Sequence, residues 1–442
     1  MAEIRPFRGV RYDIARVGGL REVIGPPDDI LSNERAAALT AGHPYHSVRL
    51  EMRDPTPGDR FAAAGARFRQ WLAAGILVRD ARPAFYAYEH EYAFGGERHR
   101  RRGFFAALRL TDPAEGMVRP HEGLLPENLE ERLALLRGLQ ANLSAVYTLV
   151  QDEGRLAPIL ARVMAAPPDQ SGTDDEGGVH RLWVVTDPAT IAALQGVVDG
   201  RTLYIADGHH RYAAALIYRD ERRRATGDAG PAEYVLTHIA AVDDPGVLVL
   251  PIHRIVHDVD ANAWGTVVDH LARHFAVTRE PLPEGDPGPT VAAALARLGA
   301  VDGPPAYLLL EPGARRMATV RLRRWDEVEC VLPAESSGLT RRLDATVADA
   351  VVLAHVLGIH NGAIEERVAF TPDIAEAVRV TRRDTAATAL LVRPTRIDSL
   401  LAVASAGELM PQKSTYFYPK IPIGLVVYDC TTNDGQGGAS TS

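Results

Sequence analysis

Apolar segments of strand length and of helix length alternate between residues 182 and 224, and this alternation constrains the fold more than any other feature of the chain. A short apolar run at 182–186 precedes a helical segment at 188–198, and a second apolar run at 202–206 leads into a helical segment at 211–224. Strands that alternate with helices form sheets covered by helices. We therefore expect both kinds of element in this part of the chain.

The first part of the chain shows the same mixture. Residues 60–74 place apolar side chains at helical spacing, whereas residues 84–94 alternate aromatic and polar side chains as in a half-buried strand. The pair Gly95-Gly96 is typical of a tight turn, and residues 102–110 would form the returning strand. The sequence therefore predicts an α+β fold with mixed sheets and helices.

Length and loop composition predict several domains. The chain has 442 residues, which is long for one ordinary domain. Residues 165–178 and 281–289 are rich in Pro and Gly, as expected of domain boundaries or long loops. The regions that these segments predict are 1–165, 179–280 and 290–430, followed by a disordered tail at 431–442.

Charge and cysteine content argue against several classes of protein. The formal net charge of −8 at pH 7 disfavours a surface that coats nucleic acid, because such a surface is basic. Cys330 and Cys430 are far apart and outside any CxxC spacing, which argues against a disulfide framework or a thiolate zinc site. We find no signal peptide and no apolar run long enough to span a membrane, so we expect a cytoplasmic protein without a membrane partner. The oligomeric state stays open.

The segment Thr202–Leu216 carries the strongest chemical signal, because an apolar strand, the turn Asp207-Gly208 and a helix follow one another directly. The first turn of a helix favours anions, and glycine lets the backbone approach a ligand. Asp207 could bind magnesium or act as a base. The donors suited to phosphate are His209, His210 and Arg211. The alternative is a structural turn in which Asp207 caps the helix.

Two other clusters could contact a ligand. In Arg119-Pro120-His121-Glu122, Arg119 and His121 could bind a substrate and Glu122 could act as a base, although many ordinary loops have this composition. In the loop 410–420, the side chains that could contact a nucleotide phosphate are Lys413, Ser414 and Thr415. That loop lacks the Gly-rich run of a P-loop, and an aromatic-anchored turn explains it equally well.

Several of these motifs, in the same order, resemble a bacterial and archaeal family known as domain of unknown function 1015, over nearly the full length. The matching segments are Ile4–Phe7, Pro26-Pro27, His43–Tyr45, Arg119–Glu122, Asp207–Arg211, Asp243–Pro245 and Lys413–Lys420. The sequence departs from the family pattern at Asp28, Leu124 and Asn128. If these positions contact the substrate, we expect a different acceptor or a weaker activity.

The segment Asp207–Arg211 is in turn similar to the phosphate-binding segment of the ParB/sulfiredoxin fold, a superfamily that includes free-serine kinases. This second resemblance implies a ParB/sulfiredoxin-like domain around the segment. It also implies a small-molecule kinase that transfers a phosphoryl group from ATP or ADP to the hydroxyl of serine or a serine-like amino acid. The cofactors implied are Mg²⁺ and ATP or ADP.

In this interpretation His209, His210 and Arg211 hold the phosphates beside Gly208. Asp207 binds magnesium or orients the acceptor, and Glu122 takes the hydroxyl proton. Lys413 covers the transferred phosphate, so Asp207, His209, Arg211, Glu122 and Lys413 are expected to line one cleft. Arg211 is expected at the surface of this cleft with few core contacts.

Two other functions stay open. One is a ParB-like protein that binds nucleotides or acts on nucleic acid, which the acidic net charge disfavours. The other is a non-catalytic regulator that binds a nucleotide or a phospho-amino acid. Ligand-induced thermal stabilisation without turnover would indicate the regulator.

Overall fold

The computed structural model of the chain describes residues 2–51 and 59–431, so nearly all of the predicted tail lies outside the described residues. The strands are β1 Ile4–Arg5, β2 Val10–Tyr12, β3 Leu77–Arg79, β4 Phe85–Phe94, β5 Glu97–Arg109, β6 Val118–Arg119, β7 Ala141–Asn142, β8 Val146–Val150, β9 Gln170–Thr173, β10 Val179–Val185, β11 Leu203–Asp207, β12 Tyr234–Ala241, β13 Leu248–Leu250, β14 His253–Val256, β15 Phe275–Pro281, β16 Ala306–Leu310, β17 Arg316–Leu322, β18 Val368–Thr371, β19 Thr388–Val392, β20 Tyr416–Tyr418 and β21 Tyr428–Asp429.

The helices are interspersed with these strands, and a π-helix at Ala348–Val356 follows the twelfth α-helix directly. The α-helices are α1 Ile14–Val17, α2 Asn33–Gly42, α3 Val48–Glu51, α4 Arg60–Ala73, α5 Pro126–Leu139, α6 Leu156–Val163, α7 Pro188–Val198, α8 His209–Thr226, α9 Trp264–His274, α10 Gly288–Gly299, α11 Gly338–Arg341, α12 Asp344–Val347, α13 Asn361–Arg367, α14 Ile374–Arg383 and α15 Ile397–Ser405. The mixed α/β architecture predicted from the sequence is confirmed. Among the described residues, no helix combines the length and the apolar character needed to cross a bilayer.

The contacts of the chain divide it into two compact units. The first contains residues 1–120, 124–248 and 419–442, and the second contains residues 121–123 and 249–418. These bounds differ from the three regions predicted above. The segment 165–178 lies inside the first unit because part of it forms β9, which pairs with β10.

A nine-stranded sheet organises the first unit, in the order β6-β11-β8-β12-β5-β4-β10-β9, with β1 paired to β5. Strand β4 was predicted to be half-buried, but every residue from Phe85 to His90 is buried. The reason is its interior position between β5 and β10, which leaves it without an exposed edge. Glu89 on this strand is buried in ion pairs with Arg102 and Arg181.

A six-stranded sheet organises the second unit, in the order β15-β17-β16-β19-β14-β18. Alternate residues of β16 enter two different cores, because successive side chains on a strand point to opposite faces. Leu309 packs in the core that includes residues of α9 and the π-helix, whereas Leu308 packs in the core that includes residues of α10 and α14. The second unit therefore has helices on both faces of its sheet.

Strand β14 contains His253, a fully buried histidine whose Nδ1 accepts a hydrogen bond from the Val392 N–H at 3.3 Å. Burial, together with the charge of Arg254, lowers the pKa of His253 from 6.5 to about 4. The unfolded chain therefore takes up this proton at a higher pH than the folded chain does. The stability that neutral His253 contributes is complete above pH 6.5 and is lost as the pH falls towards 4.

We expect His253→Gln to remove an acid-induced loss of stability on the order of 3 kcal/mol, because glutamine does not titrate. Urea unfolding measured between pH 4 and pH 7 would show a flatter profile than that of the parent. The matched control is His360→Gln, at an exposed position of the same unit. A profile for His253→Gln that coincides with the parent's would contradict this assignment.

Candidate phosphate-binding site at the end of strand β11

The predicted strand–turn–helix is confirmed at Asp207-Gly208. Strand β11 ends at Asp207, Gly208 is in the left-handed region at φ 89°, and α8 begins at His209. A Cβ atom on Gly208 would lie 3.0 Å from Nε of Arg211, so both the backbone conformation and the neighbouring guanidinium favour glycine here. Gly208 is the N-cap residue and has no side chain with which to cap the first turn of α8.

The carboxylate of Asp207 is paired with two cations. Its Oδ2 accepts a hydrogen bond from Nη2 of Arg211, and its Oδ1 accepts one from Nζ of Lys420. Burial raises the pKa of Asp207, but Lys420 and Arg211 outweigh burial and hold it well below the ordinary value. Lys420 Nζ also lies 3.2 Å from Oδ2 of Asp29. The site therefore holds two cationic side chains beside the start of α8.

These contacts do not fit the prediction that Asp207 binds magnesium. A Mg²⁺ ion at Asp207 would lie beside the positive charges of Arg211 and Lys420, each of which donates to one oxygen of the carboxylate. Across residues 2–51 and 59–431, the one group of three potential ligand side chains close enough to share an ion does not include Asp207. The contacts of Asp207 therefore disfavour a magnesium ion at this carboxylate.

Arg211 is more enclosed than the sequence predicted. Its side chain is 16% exposed. Besides its contact with Asp207, its Nη1 donates to the backbone carbonyl of Ala145 at 2.6 Å. The expectation of few core contacts was wrong, because the guanidinium ties α8 both to β11 and to the residue before β8. Arg211 therefore holds Asp207 in place as well as adding positive charge.

The two histidines of the motif have different surroundings. Nε2 of His210 accepts a hydrogen bond from the backbone N–H of Leu125 at 2.8 Å, which requires that this nitrogen carry no proton. Leu125 is the N-cap residue of α5, so His210 connects the starts of two helices. His209 is the first residue of α8, is partly exposed, and is close enough to contribute to lowering the pKa of Asp207. Both histidines are half-buried.

Four of the other predicted site residues lie together in the second unit. Oε1 of Glu122 accepts a hydrogen bond from the backbone N–H of Lys413 at 3.0 Å. Lys413 has an exposed side chain and a φ of 59°. Nε2 of His121 and Oγ1 of Thr415 are 2.9 Å apart, and both side chains are buried.

Two predicted residues have other positions. Oγ of Ser414, which is also buried, donates to the carbonyl of Pro411 at 2.5 Å, within its own loop. Ser414 and Thr415 are thus turned inward. Of the three residues predicted to contact a nucleotide phosphate in this loop, Lys413 is the one with an exposed side chain. Arg119 belongs to the first unit, on β6 next to β11. The convergence of Glu122 and Lys413 with Asp207 stays a prediction.

Sequence reasoning missed Lys420 and Asp29 as site residues. A signal for Lys420 was present, since the chain has only two lysines, Lys413 and Lys420, and both lie in one motif. Nearly all cationic side chains of this chain are arginines. A lysine therefore indicates a position that requires a compact ammonium group and not a planar guanidinium. Asp29 stands in the Pro27–Asp29 segment, beside one of the departures from the family pattern.

A buried polar cluster adjoins the site. Oε1 of Glu51 accepts from Oγ of Ser144 at 2.6 Å and lies 3.5 Å from Arg132, which also pairs with Asp28 at 2.9 Å. Burial raises the pKa of Glu51. A cavity of about 40 Å³ is lined by residues that include Glu51, Arg132, Ser144 and Arg211. It has room for no more than a few water molecules, so it is not a nucleotide pocket.

Comparison with solved structures gives distant likenesses. A free serine kinase in complex with AMP matches at 13% identity with a TM-score of 0.34, covering 73% of this chain and 92% of that chain. A conserved hypothetical protein from Pyrococcus furiosus matches at 14% identity with a TM-score of 0.34, covering 73% and 93%. A C-terminally truncated SbnI from Staphylococcus aureus matches at 10% identity with a TM-score of 0.35, covering 73% and 87%.

Sequence comparison identifies the family. No curated protein matches the chain. The family model described as "Protein of unknown function (DUF1015)" matches residues 4–346, which is most of the chain although less than the full length expected. The motifs Arg119–Glu122 and Asp207–Arg211 both fall within the matched residues, whereas Lys413–Lys420 falls outside them. The chain therefore belongs to the DUF1015 family of proteins of unknown function.

Proposed function

We propose that the protein is a phosphotransferase that binds a nucleotide phosphate at the start of α8 and phosphorylates the hydroxyl of serine or a serine-like amino acid. One observation carries the proposal. Asp207 holds Lys420 and Arg211 beside an N-cap glycine that leaves the first turn of α8 without a side-chain cap. The nucleotide and the amino-acid acceptor follow from the resemblance of Asp207–Arg211 to the free-serine kinases.

The local charges suit phosphate binding. A helix N-terminus carries a partial positive charge, and α8, with 18 residues, is long enough to develop it. Lys420 adds a compact ammonium group that lies within hydrogen-bonding distance of Asp207. Phosphoryl transfer depends on positioning and charge stabilisation more than on covalent chemistry by the protein. Lys420 and Arg211 are already held by Asp207 without a ligand, so little reorganisation is needed when a phosphate binds.

Three roles follow within this proposal. Lys420 and the backbone of Gly208-His209 contact the phosphate, and His209 adds a donor. Asp207 and Arg211 position Lys420 and the helix start. Glu122 accepts the proton of the acceptor hydroxyl, as predicted from the sequence. ATP or ADP supplies the phosphoryl group.

The function is tested by incubating pure protein with magnesium, ATP or ADP, and a panel of hydroxy amino acids, and by following phosphorylated products by mass spectrometry. We expect phosphoserine, or the phosphorylated form of a related hydroxy amino acid. Thermal stabilisation by nucleotide without any phosphorylated product would indicate a binding regulator and contradict the proposal.

We expect Lys420→Met to weaken nucleotide binding by about 10-fold to 100-fold, because a charge-assisted contact to phosphate is lost. Isothermal titration with ADP measures this change. The control is Arg98→Met, which removes a cation from a side chain that is 78% exposed in the same unit. If Lys420→Met and Arg98→Met bind ADP equally well, Lys420 does not contact the nucleotide.

A further inference from the structure

Two histidines and an aspartate meet in the first unit, and none of them belongs to the candidate phosphate site. His90 on β4 and His180 on β10 are directly opposed in antiparallel register, with ring centroids 4.2 Å apart. Asp174 follows β9 in the turn that leads to β10. Its Oδ2 lies 3.0 Å from Nε2 of His180 and 3.8 Å from Nε2 of His90. Three potential ligand atoms therefore face one point.

The spacing of these atoms fits a tetrahedral metal ion. Zinc binds imidazole nitrogen and carboxylate oxygen at about 2.0–2.2 Å, which places neighbouring ligand atoms roughly 3.3 Å apart in a tetrahedron. The separations of 3.0 and 3.8 Å from Asp174 to the two histidines bracket this value. All three ligand atoms lie within 4.8 Å of one another, so side-chain adjustments would bring them to coordination distance.

The surroundings of His90 indicate a bound ligand, and this observation is independent of the spacing. The residue is 2% exposed, and neither ring nitrogen has a hydrogen-bond partner among the residues that the structure describes. Leaving buried polar nitrogens unpaired is unfavourable, and proteins rarely tolerate it. An imidazole nitrogen without a hydrogen-bond partner can offer its lone pair to a metal ion.

Further contacts orient the other two ligands. Oδ1 of Asp174 accepts backbone hydrogen bonds from Gly178 at 2.7 Å and Glu176 at 2.9 Å, so Oδ2 is the oxygen turned to the histidines. Nδ1 of His180 is 2.8 Å from the hydroxyl of Tyr88. In metal sites, a hydrogen bond to the second ring nitrogen fixes the orientation of a ligating histidine. Asp174 and His180 therefore both have the supporting contacts that metal ligands need.

A buried cation, Arg101, lies near the cluster and is held by contacts with other residues. Arg101 on β5 is paired in register with His90 and would repel a metal ion at close range. Its guanidinium lies over the ring of Tyr147, 5.2 Å from the centroid, and its Nη1 donates to the carbonyl of Pro419 at 2.5 Å. Tyr147 is on β8, which lies on the opposite side of β5 from β4 and β10. These two contacts hold part of the guanidinium against Tyr147 and Pro419.

We propose that His90, Asp174 and His180 bind a divalent transition metal, best satisfied by zinc, with water in the fourth position. Two imidazoles and one carboxylate form a ligand set that zinc accepts. The carboxylate brings negative charge to the site, and its side chain is 22% exposed, which provides access for the ion and the water. Bound metal fastens the β9–β10 turn to β4.

The test uses the full chain after treatment with a chelator and dialysis. We expect one Zn²⁺ to bind per chain in isothermal titration, and Zn²⁺ to raise the melting temperature. Co²⁺ in the same site is expected to give the intense visible absorption of four-coordinate cobalt. Asp174→Asn should weaken Zn²⁺ binding at least about tenfold, because it removes the negative ligand. The matched control is Asp175→Asn, the neighbouring residue of the same turn, which should bind Zn²⁺ as the parent does.

Three results would overturn the proposal. These are a parent protein that takes up no Zn²⁺ at micromolar concentration, a Co²⁺ complex with the weak absorption of octahedral cobalt, and an Asp174→Asn variant with unchanged Zn²⁺ affinity. If Asp174→Asn does not fold, the Co²⁺ spectrum of the parent still decides between a four-coordinate site and none.

Discussion

Replacing Glu122 by glutamine should lower turnover of the phosphate acceptor by about 100-fold or more, with nucleotide affinity nearly unchanged. The amide cannot take the proton that a carboxylate takes as the hydroxyl attacks. It keeps the oxygen that accepts from the backbone N–H of Lys413, so the loop geometry should survive. Steady-state kinetics of the variant, together with isothermal titration of the nucleotide, separate the two effects.

The control for this experiment is Glu127→Gln, an exposed glutamate in the first turn of α5. It makes the same chemical change nearby in the sequence and should leave turnover unaltered. Full turnover in Glu122→Gln would remove Glu122 from the mechanism. Equal losses of turnover and of nucleotide affinity would indicate that Glu122 holds the ligand instead of accepting a proton.

The largest stability effect is expected from Asp349→Ala, at about 3–5 kcal/mol. Arg254 is fully buried, and Asp349 neutralises it through two hydrogen bonds, to Nε at 3.0 Å and to Nη2 at 3.2 Å. Removing the carboxylate leaves a buried guanidinium whose remaining hydrogen bond, from Nη1, is to the carbonyl of Ile252. The free energy of unfolding is expected to fall because the variant keeps a desolvated positive charge without its partner.

Urea unfolding of the variant measures this loss, and Asp326→Ala is the matched control. Asp326 pairs with Arg324 through side chains that are 63% and 69% exposed. Water replaces such a partner, so the control should leave the free energy of unfolding nearly unchanged. Similar losses in the two variants would show that burial of Arg254 does not determine the energetics of its ion pair.

Hydrophobic periodicity and turn residues predicted individual helices and strands correctly, because these elements depend on neighbouring residues in the sequence. The helix at 60–74 is observed as Arg60–Ala73, and the helix at 188–198 is observed with the predicted bounds. The strand–turn–helix at Asp207-Gly208 followed from hydrophobicity and one glycine. The division into units was not predictable in this way, because the first unit combines stretches that are far apart in the sequence and meet through long-range contacts such as the pairing of β21 with β7.

The candidate site was predictable as a set of residue types but not as a set of partners. The sequence indicated that Arg211 was a donor for an anion, and the structure has it bonded to Asp207 and Ala145. It indicated Lys413 as the phosphate contact, and the lysine that reaches Asp207 is Lys420. Which of two nearby lysines pairs with an aspartate more than 200 residues away depends on tertiary packing, which spacing along the chain does not encode.

The scarcity of lysine makes the site observable without mutation. Reductive methylation with ¹³C-formaldehyde labels lysine side chains and the terminal amine, so its methyl spectrum would contain signals from only two side chains. Lys413 is exposed, whereas Lys420 is 10% exposed and paired with Asp207 and Asp29. The two methyl signals should therefore differ in mobility. Each would then report on ligands near its own lysine in the otherwise unaltered protein.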